Sequence, residues 1–151
     1  MIKHLLILAV FCLAAFGFAQ NEAPSMKVTF PKAVKAGSKV KAMVEISFVE
    51  GLHGYQNPPS TEWQIPVKLS VQKTIKVLKV EYPKGVPMKM AGDEKPSAVY
   101  EGTIKVPVWI IAPKTVGKNT IKFILNYQQC NEETCFPPSS IEAVGSVLVT
   151  K

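Results

Sequence analysis

The chain has 151 residues, 47% hydrophobic and 19% charged, with a formal charge of +7. Every basic residue is lysine, and the lysines alternate along apolar segments instead of clustering, which argues for a solvated face and against the arginine forks and basic patches of nucleic-acid recognition. A chain of this length builds one domain with a core of its own, so cysteine staples are not required to hold it together.

At the start, Lys3 and His4 precede an apolar run from Leu5 to Phe16, and Gly17 and Ala19 are small residues where a signal peptidase reads. Residues 1–19 are therefore expected to be a signal peptide cleaved after Ala19, leaving 20–151 as one exported, soluble domain. The run is shorter than the roughly 18 apolar residues a membrane-spanning helix needs, and no later segment approaches that length. Cys12 leaves with the signal, and Phe11 stands where a lipoprotein signal wants a small residue. Cys130 and Cys135 remain.

Downstream the dominant period is two. A short strand is expected near 26–30. After the turn Ala36-Gly37-Ser38, Val40, Ala42, Val44, Ile46 and Phe48 alternate with Lys39, Lys41, Met43, Glu45 and Ser47, the pattern of a strand with one face on a core and one in water. The stretch "GLHGYQNPPS" (51–60) ends in turn chemistry. Val67, Leu69 and Val71 then alternate with Lys68, Ser70 and Gln72, and another short strand is expected near 75–82. Pro83-Lys84-Gly85 reads as a turn, and 88–97 as an acidic, glycine-containing loop. Ile104, Val106, Val108 and Ile110 form the next alternating set, in which Pro107 predicts a sheet edge or a bulge. A turn over 116–119 leads to Ile121, Phe123, Leu125 and Tyr127, and a short strand near 141–149 closes the chain. No segment carries a helical period. Seven or so short strands joined by polar turns predict an all-β fold, an immunoglobulin-like antiparallel β-sandwich.

The stretch "NYQQCNEETCFPPSS" (126–140) holds both remaining cysteines with four residues between them. As a staple such a small ring limits the unfolded chain by only about 2 kcal/mol. As a redox pair it is well placed, since a ring at the end of a strand opens and closes without disturbing the sheet. Pro137 and Pro138 lack amide donors and fix φ, so the segment after Cys135 should stay an exposed, extended lip. On spacing alone the two readings stand level, because this is not the C-x-x-C motif. Glu132 and Glu133 lie between the cysteines with no basic residue nearby in sequence, a field that disfavours thiolate and favours a reducing pair. His53 is a candidate base if the fold brings it close, and otherwise a solvated loop histidine. Two other classes stay open. Met88, Met90, His53 and the two thiols supply the soft ligands of an exported copper-binding module, although their spacing matches no metal motif. A purely structural immunoglobulin-like domain is the other.

The segment "YQQCNEETCFPPSS" resembles the cysteine segment of the DsbD amino-terminal periplasmic domain family, the thiol:disulfide interchange proteins, in which Tyr-Gln-x-Cys precedes a short acidic loop, a second Cys, an aromatic and Pro-Pro. "GLHGYQNPPS" and "GDEKPSAVYEGTIKVPV" are similar to two further stretches of that family, in the same order along the chain. The resemblance implies an immunoglobulin-like sandwich that takes electrons from a thioredoxin-like donor and hands them to oxidised periplasmic proteins, with no cofactor beyond its redox-active disulfide. It implies that Cys130 and Cys135 are that pair, with Cys135 forming the mixed disulfides. Tyr127, His53, Tyr55, Met90, Asp93, Glu94 and Phe136 would line the site. Departures accompany the likeness. The loop between the cysteines is one residue shorter than in a well-known member, and the loop that shields the pair there with an aromatic ring has none here, leaving Met90 as the expected lid. The family's membrane electron conduit is not present in this chain, so a separate protein is expected to supply the electrons.

Overall fold

Strand follows strand wherever apolar and polar residues alternate, and the computed structural model describes this over residues 23–89 and 94–151. The expected signal segment with its cleavage point at Ala19, and Met90 and Asp93, lie outside the described residues. Among the described residues there is no helix. The strands are β1 (Ser25–Thr29), β2 (Val34–Lys35), β3 (Lys39–Ser47), β4 (His53–Tyr55), β5 (Lys68–Val71), β6 (Val77–Val80), β7 (Val86–Met88), β8 (Ser97–Glu101), β9 (Thr103–Ile111), β10 (Gly117–Tyr127), β11 (Gln129–Cys130) and β12 (Ser139–Thr150). They form three four-stranded sheets, ordered β1-β3-β9-β6, β2-β12-β10-β5 and β11-β4-β8-β7. All pairings are antiparallel except β2 with β12.

The first two sheets make the sandwich of an immunoglobulin-like fold. Val40, Ala42, Val44 and Ile46 of β3 and Val106, Val108 and Ile110 of β9 share one core with Phe123 and Leu125 of β10 and with Val147 and Val149 of β12. Each buried Val, Ile, Leu or Phe contributes roughly 1.5–3 kcal/mol by leaving water, so the alternation in the sequence is itself the driving force for this packing. The ion pairs Lys79–Glu81, Lys105–Glu45 and Lys122–Glu142 join exposed or half-exposed side chains on strands or strand ends of these two sheets. Pairs of this kind add little stability.

Four expectations need correction. The turn expected over 116–119 lies earlier, at Lys114 and Thr115, and Gly117 already begins β10. The final strand is not short: β12 pairs with β10 along its length, from Ser139 against Tyr127 to Val149 against Gly117. Pro107 does not lie on an edge, because β9 runs between β3 and β6, and the register shift in the β6–β9 pairing falls at Val77–Lys79, opposite Ile110 and Trp109, not at Pro107. Its carbonyl accepts the Glu81 amide at 2.9 Å, beyond the last paired residue of β6. Amide and carbonyl of one extended residue point the same way, so the donor that proline lacks is lost at the end of β6 and not from the ladder with β3. Finally, 83–85 is no closed turn but an irregular run into β7.

The third sheet positions the site. Gly102, with φ +58°, turns the chain out of β8 and into β9 of the first sheet, a conformation open to glycine at little cost. Side chains alternate across the third sheet, so Gly54 and Tyr100, paired in register, face the sandwich, where Tyr100 joins the main core. His53, Tyr55, Val99, Glu101 and Cys130 share the opposite face, on which Tyr55, Val99 and Cys130 form a second small cluster against Met88.

Candidate functional site

The hairpin that carries the cysteines is built by local chemistry. The Asn131 side-chain oxygen accepts the amides of Glu133 at 2.9 Å and Thr134 at 2.7 Å, and the Asn131 amide donates to the Thr134 carbonyl at 2.9 Å. An asparagine that folds over its own turn in this way reverses the chain in four residues. Cys135 thereby returns opposite Cys130 as an isolated bridge, with Cα atoms 3.9 Å apart, and the two sulfurs are joined in a disulfide. The Phe136 amide donates to the Gln129 carbonyl at 2.8 Å, and the Gln128 carboxamide donates to the Phe136 carbonyl at 3.0 Å. Beyond Phe136 both prolines are exposed, and neither has an amide with which to join a neighbouring strand.

The two sulfur-bearing residues sit in different surroundings. Cys130 is 0% exposed in the second cluster, whereas Cys135 is exposed. The Tyr55 hydroxyl lies 3.8 Å from Cys135 Sγ. His53 is the register partner of Cys130 and is 2% exposed, so it is not a solvated loop histidine. The cause is the sheet: β4 lies between β11 and β8, which cover it from both sides. Its Nε2 has no hydrogen-bond partner among the described residues. A cleft of about 540 Å³ beside the hairpin is lined by Phe48, Leu52, His53, Met88, Glu101 and Glu132.

Other expected residues fall further out. Tyr127 is buried in the main core and borders a groove with Gln129, Phe136 and Pro137. Glu94 is exposed and lines a hollow with Ser60, Thr61, Trp63 and Ser97. Met88 packs against the small cluster of Tyr55, Val99 and Cys130. Sequence reasoning missed Gln64, a buried glutamine that braces the loop beside Tyr55, and Trp63, whose ring meets Tyr55 edge-on at 6.4 Å and 81°. The only sequence signal for either was an isolated "TEWQIP" between the turn ending at Ser60 and the strand beginning at Val67, too short for any period.

A comparison with known families matches residues 20–144 to the family described as Thiol:disulfide interchange protein DsbD, N-terminal. The chain belongs to the DsbD N-terminal family. The N-terminal periplasmic domain of ScsB from Proteus mirabilis superposes with a TM-score of 0.55 at 13% identity, over 78% of this chain and 43% of that one. This chain thus spans less than half of that relative's length. The N-terminal domain of DsbD from Neisseria meningitidis in the reduced form superposes with a TM-score of 0.50 at 19% identity, over 75% of this chain and 82% of that one. At these identities the likeness speaks to the fold. A search of curated proteins gives no match. DsbD N-terminal domains work through a redox-active disulfide and not a cofactor, and their chemistry is thiol-disulfide exchange.

Within this DsbD-type site the His53 imidazole is held below its ordinary pKa by burial, opposed by the negative charges of Glu101, its partner on β8, and of Glu132 in the cysteine turn. In the unfolded chain it protonates at about 6.5. Unfolding therefore takes up a proton as pH drops below that value, so the stability linked to neutral His53 is complete above about pH 6.5 and is lost as pH falls toward the lowered folded value. His53→Gln is expected to flatten the decline in melting temperature between about pH 7 and pH 5. An unaltered decline would mean that the acid sensitivity belongs to the carboxylates alone.

Proposed function

We propose that this domain relays electrons in the periplasm from a thioredoxin-like donor to oxidised exported proteins, with residues 1–19 as the removed signal and 20–151 as the working domain. The observation that carries the reading is the asymmetry of the pair: Cys135 is exposed and Cys130 is 0% exposed. Exchange needs attacking, attacked and leaving sulfurs nearly in line, an approach that exposed Cys135 offers to another protein and enclosed Cys130 does not. A donor thiolate attacks Cys135 Sγ, the bond to Cys130 breaks, and Cys130 leaves as a thiolate that takes up a proton. The donor's second thiol then displaces Cys135, so the donor becomes a disulfide and the pair a dithiol. With an oxidised acceptor the order reverses: Cys135 attacks the acceptor disulfide, and Cys130 displaces the acceptor sulfur and restores the ring. The turn carboxylates Glu132 and Glu133 disfavour thiolate at the pair, which supports flow outward to acceptors.

A redox titration of residues 20–151, read by alkylation of free thiols, tests this. The pair is expected to titrate as a single two-electron couple while the protein stays folded. Opening a ring with a sequence separation of 5 removes about 2 kcal/mol, which lowers the melting temperature by about 5–10 °C in a domain of this size. A reduced form already unfolded at room temperature would make the disulfide a staple and end the proposal.

A further inference from the structure

The two tryptophans are treated differently. Trp109, on β9, lies beneath the Lys39 ammonium at 4.5 Å and the Lys41 ammonium at 5.6 Å. Trp63 is 65% exposed, although few side chains gain as much from burial. Its loop is not loose. Gln64, 3% exposed, accepts the amides of Ser60 at 3.0 Å and Thr61 at 3.3 Å through its side-chain oxygen, and donates from its nitrogen to the Ser97 hydroxyl at 2.6 Å. The Ser60 hydroxyl in turn accepts the Ala98 amide at 2.9 Å. The loop is stitched to β8, so the exposed ring is held in a set place next to Tyr55, whose hydroxyl meets Cys135 Sγ. Ile65, 39% exposed, shares an uncharged groove with Pro138. The Tyr55 side of Cys135 therefore presents exposed aromatic and aliphatic side chains, with Glu94 and Lys95 beyond Trp63, and the cysteine turn carries Glu132 and Glu133.

We propose that Trp63 is the docking anchor for the redox partner protein, seating its ring on an apolar surface beside the partner's own reactive cysteine. The inference rests on Cys135 being the exchanging sulfur. The occupant follows from that chemistry: a protein bonded to Cys135 brings its own sulfur to about 2 Å and must cover the neighbouring Tyr55 and Trp63. A tryptophan already fixed by a braced loop loses little freedom on docking, and tryptophans of this kind dominate interface energetics. The charge pattern asks for a partner that is basic where it meets Glu132 and Glu133.

The test compares oxidised wild type, Trp63→Ala and Trp63→Phe, each reduced in turn by thioredoxin as the protein probe and by dithiothreitol as the small one, with melting curves to establish that the variants are folded. Trp63→Ala is expected to slow thioredoxin about tenfold or more and to change the dithiothreitol rate less than about twofold, with Trp63→Phe keeping most of the thioredoxin rate. Unchanged thioredoxin rates overturn the proposal. So does a parallel loss with dithiothreitol, which would make Trp63 a support for Tyr55, and so does a faster dithiothreitol reaction alone, which would make it a shield. A wild type that dithiothreitol reduces and thioredoxin does not would instead defeat the electron-relay reading, and this inference with it.

Discussion

Cys130→Ala is expected to accumulate a covalent complex with a thioredoxin-like partner, while Cys135→Ala accumulates almost none. The asymmetry arises before any partner arrives. Cys130 sits in β11, paired with His53 and packed with Tyr55, Val99 and Met88, at 0% exposure. Cys135 lies past the Asn131 turn and is exposed, with the two prolines after it. With Cys130 gone, Cys135 still reacts, and no sulfur within the domain can displace the bound partner. With Cys135 gone, the remaining thiol is enclosed, and the exchange rate should fall on the order of 100-fold or more because an in-line approach is blocked. Non-reducing electrophoresis of both variants with the partner reads the result. Stronger trapping through Cys130 would reverse the roles.

The second large effect is expected at Gly54, which touches neither sulfur. It lies between His53 and Tyr55, in register with Gln129 on one side and Tyr100 on the other, and its empty side faces the sandwich. A Cβ there would stand 2.8 Å from Val67 Cγ2 and 3.0 Å from the Phe48 ring. Val67 is 0% exposed and has no open space to retreat into, while Phe48, 6% exposed, can give only by moving into the cleft it lines. The glycine is needed for close approach of a backbone to the core, not for an unusual φ. Gly54→Val is expected to cost about 3 kcal/mol through overpacking. It should also slow exchange at least tenfold, since any shift that relieves the clash moves His53 and Tyr55 with it. Gly54→Ala, a smaller intrusion, should fall between. Denaturant melts and exchange rates measured together check this. A Gly54→Val protein with unchanged stability would show that β4 does not rest on the core as tightly as these distances say.

How far the sequence reached can be seen strand by strand. β3, β9 and β10 run for 9, 9 and 11 residues with one face buried, so their period of two was plain and named the core residues Val44, Val106 and Phe123 among others. The small cysteine ring and the exposed lip were legible for a different reason, because the two cysteines lie close in the chain and Pro137 and Pro138 have no amide to donate, although Asn131, whose side chain makes the turn, was not singled out. β4, β7 and β11, of 3, 3 and 2 residues, are shorter than any period can reveal. Their pairing was decided by strands far off in the chain, His53 against both Cys130 and Glu101. The sequence by itself therefore determined the sandwich, its core faces and the closed cysteine ring, because half-buried long strands and short-range turns follow from residues near one another. Only the tertiary structure decided that His53 is buried, that Met88 packs against the cluster of Tyr55, Val99 and Cys130 and that Trp63 stands exposed beside Tyr55, because the covering of a short strand or a loop depends on which distant segments are laid over it.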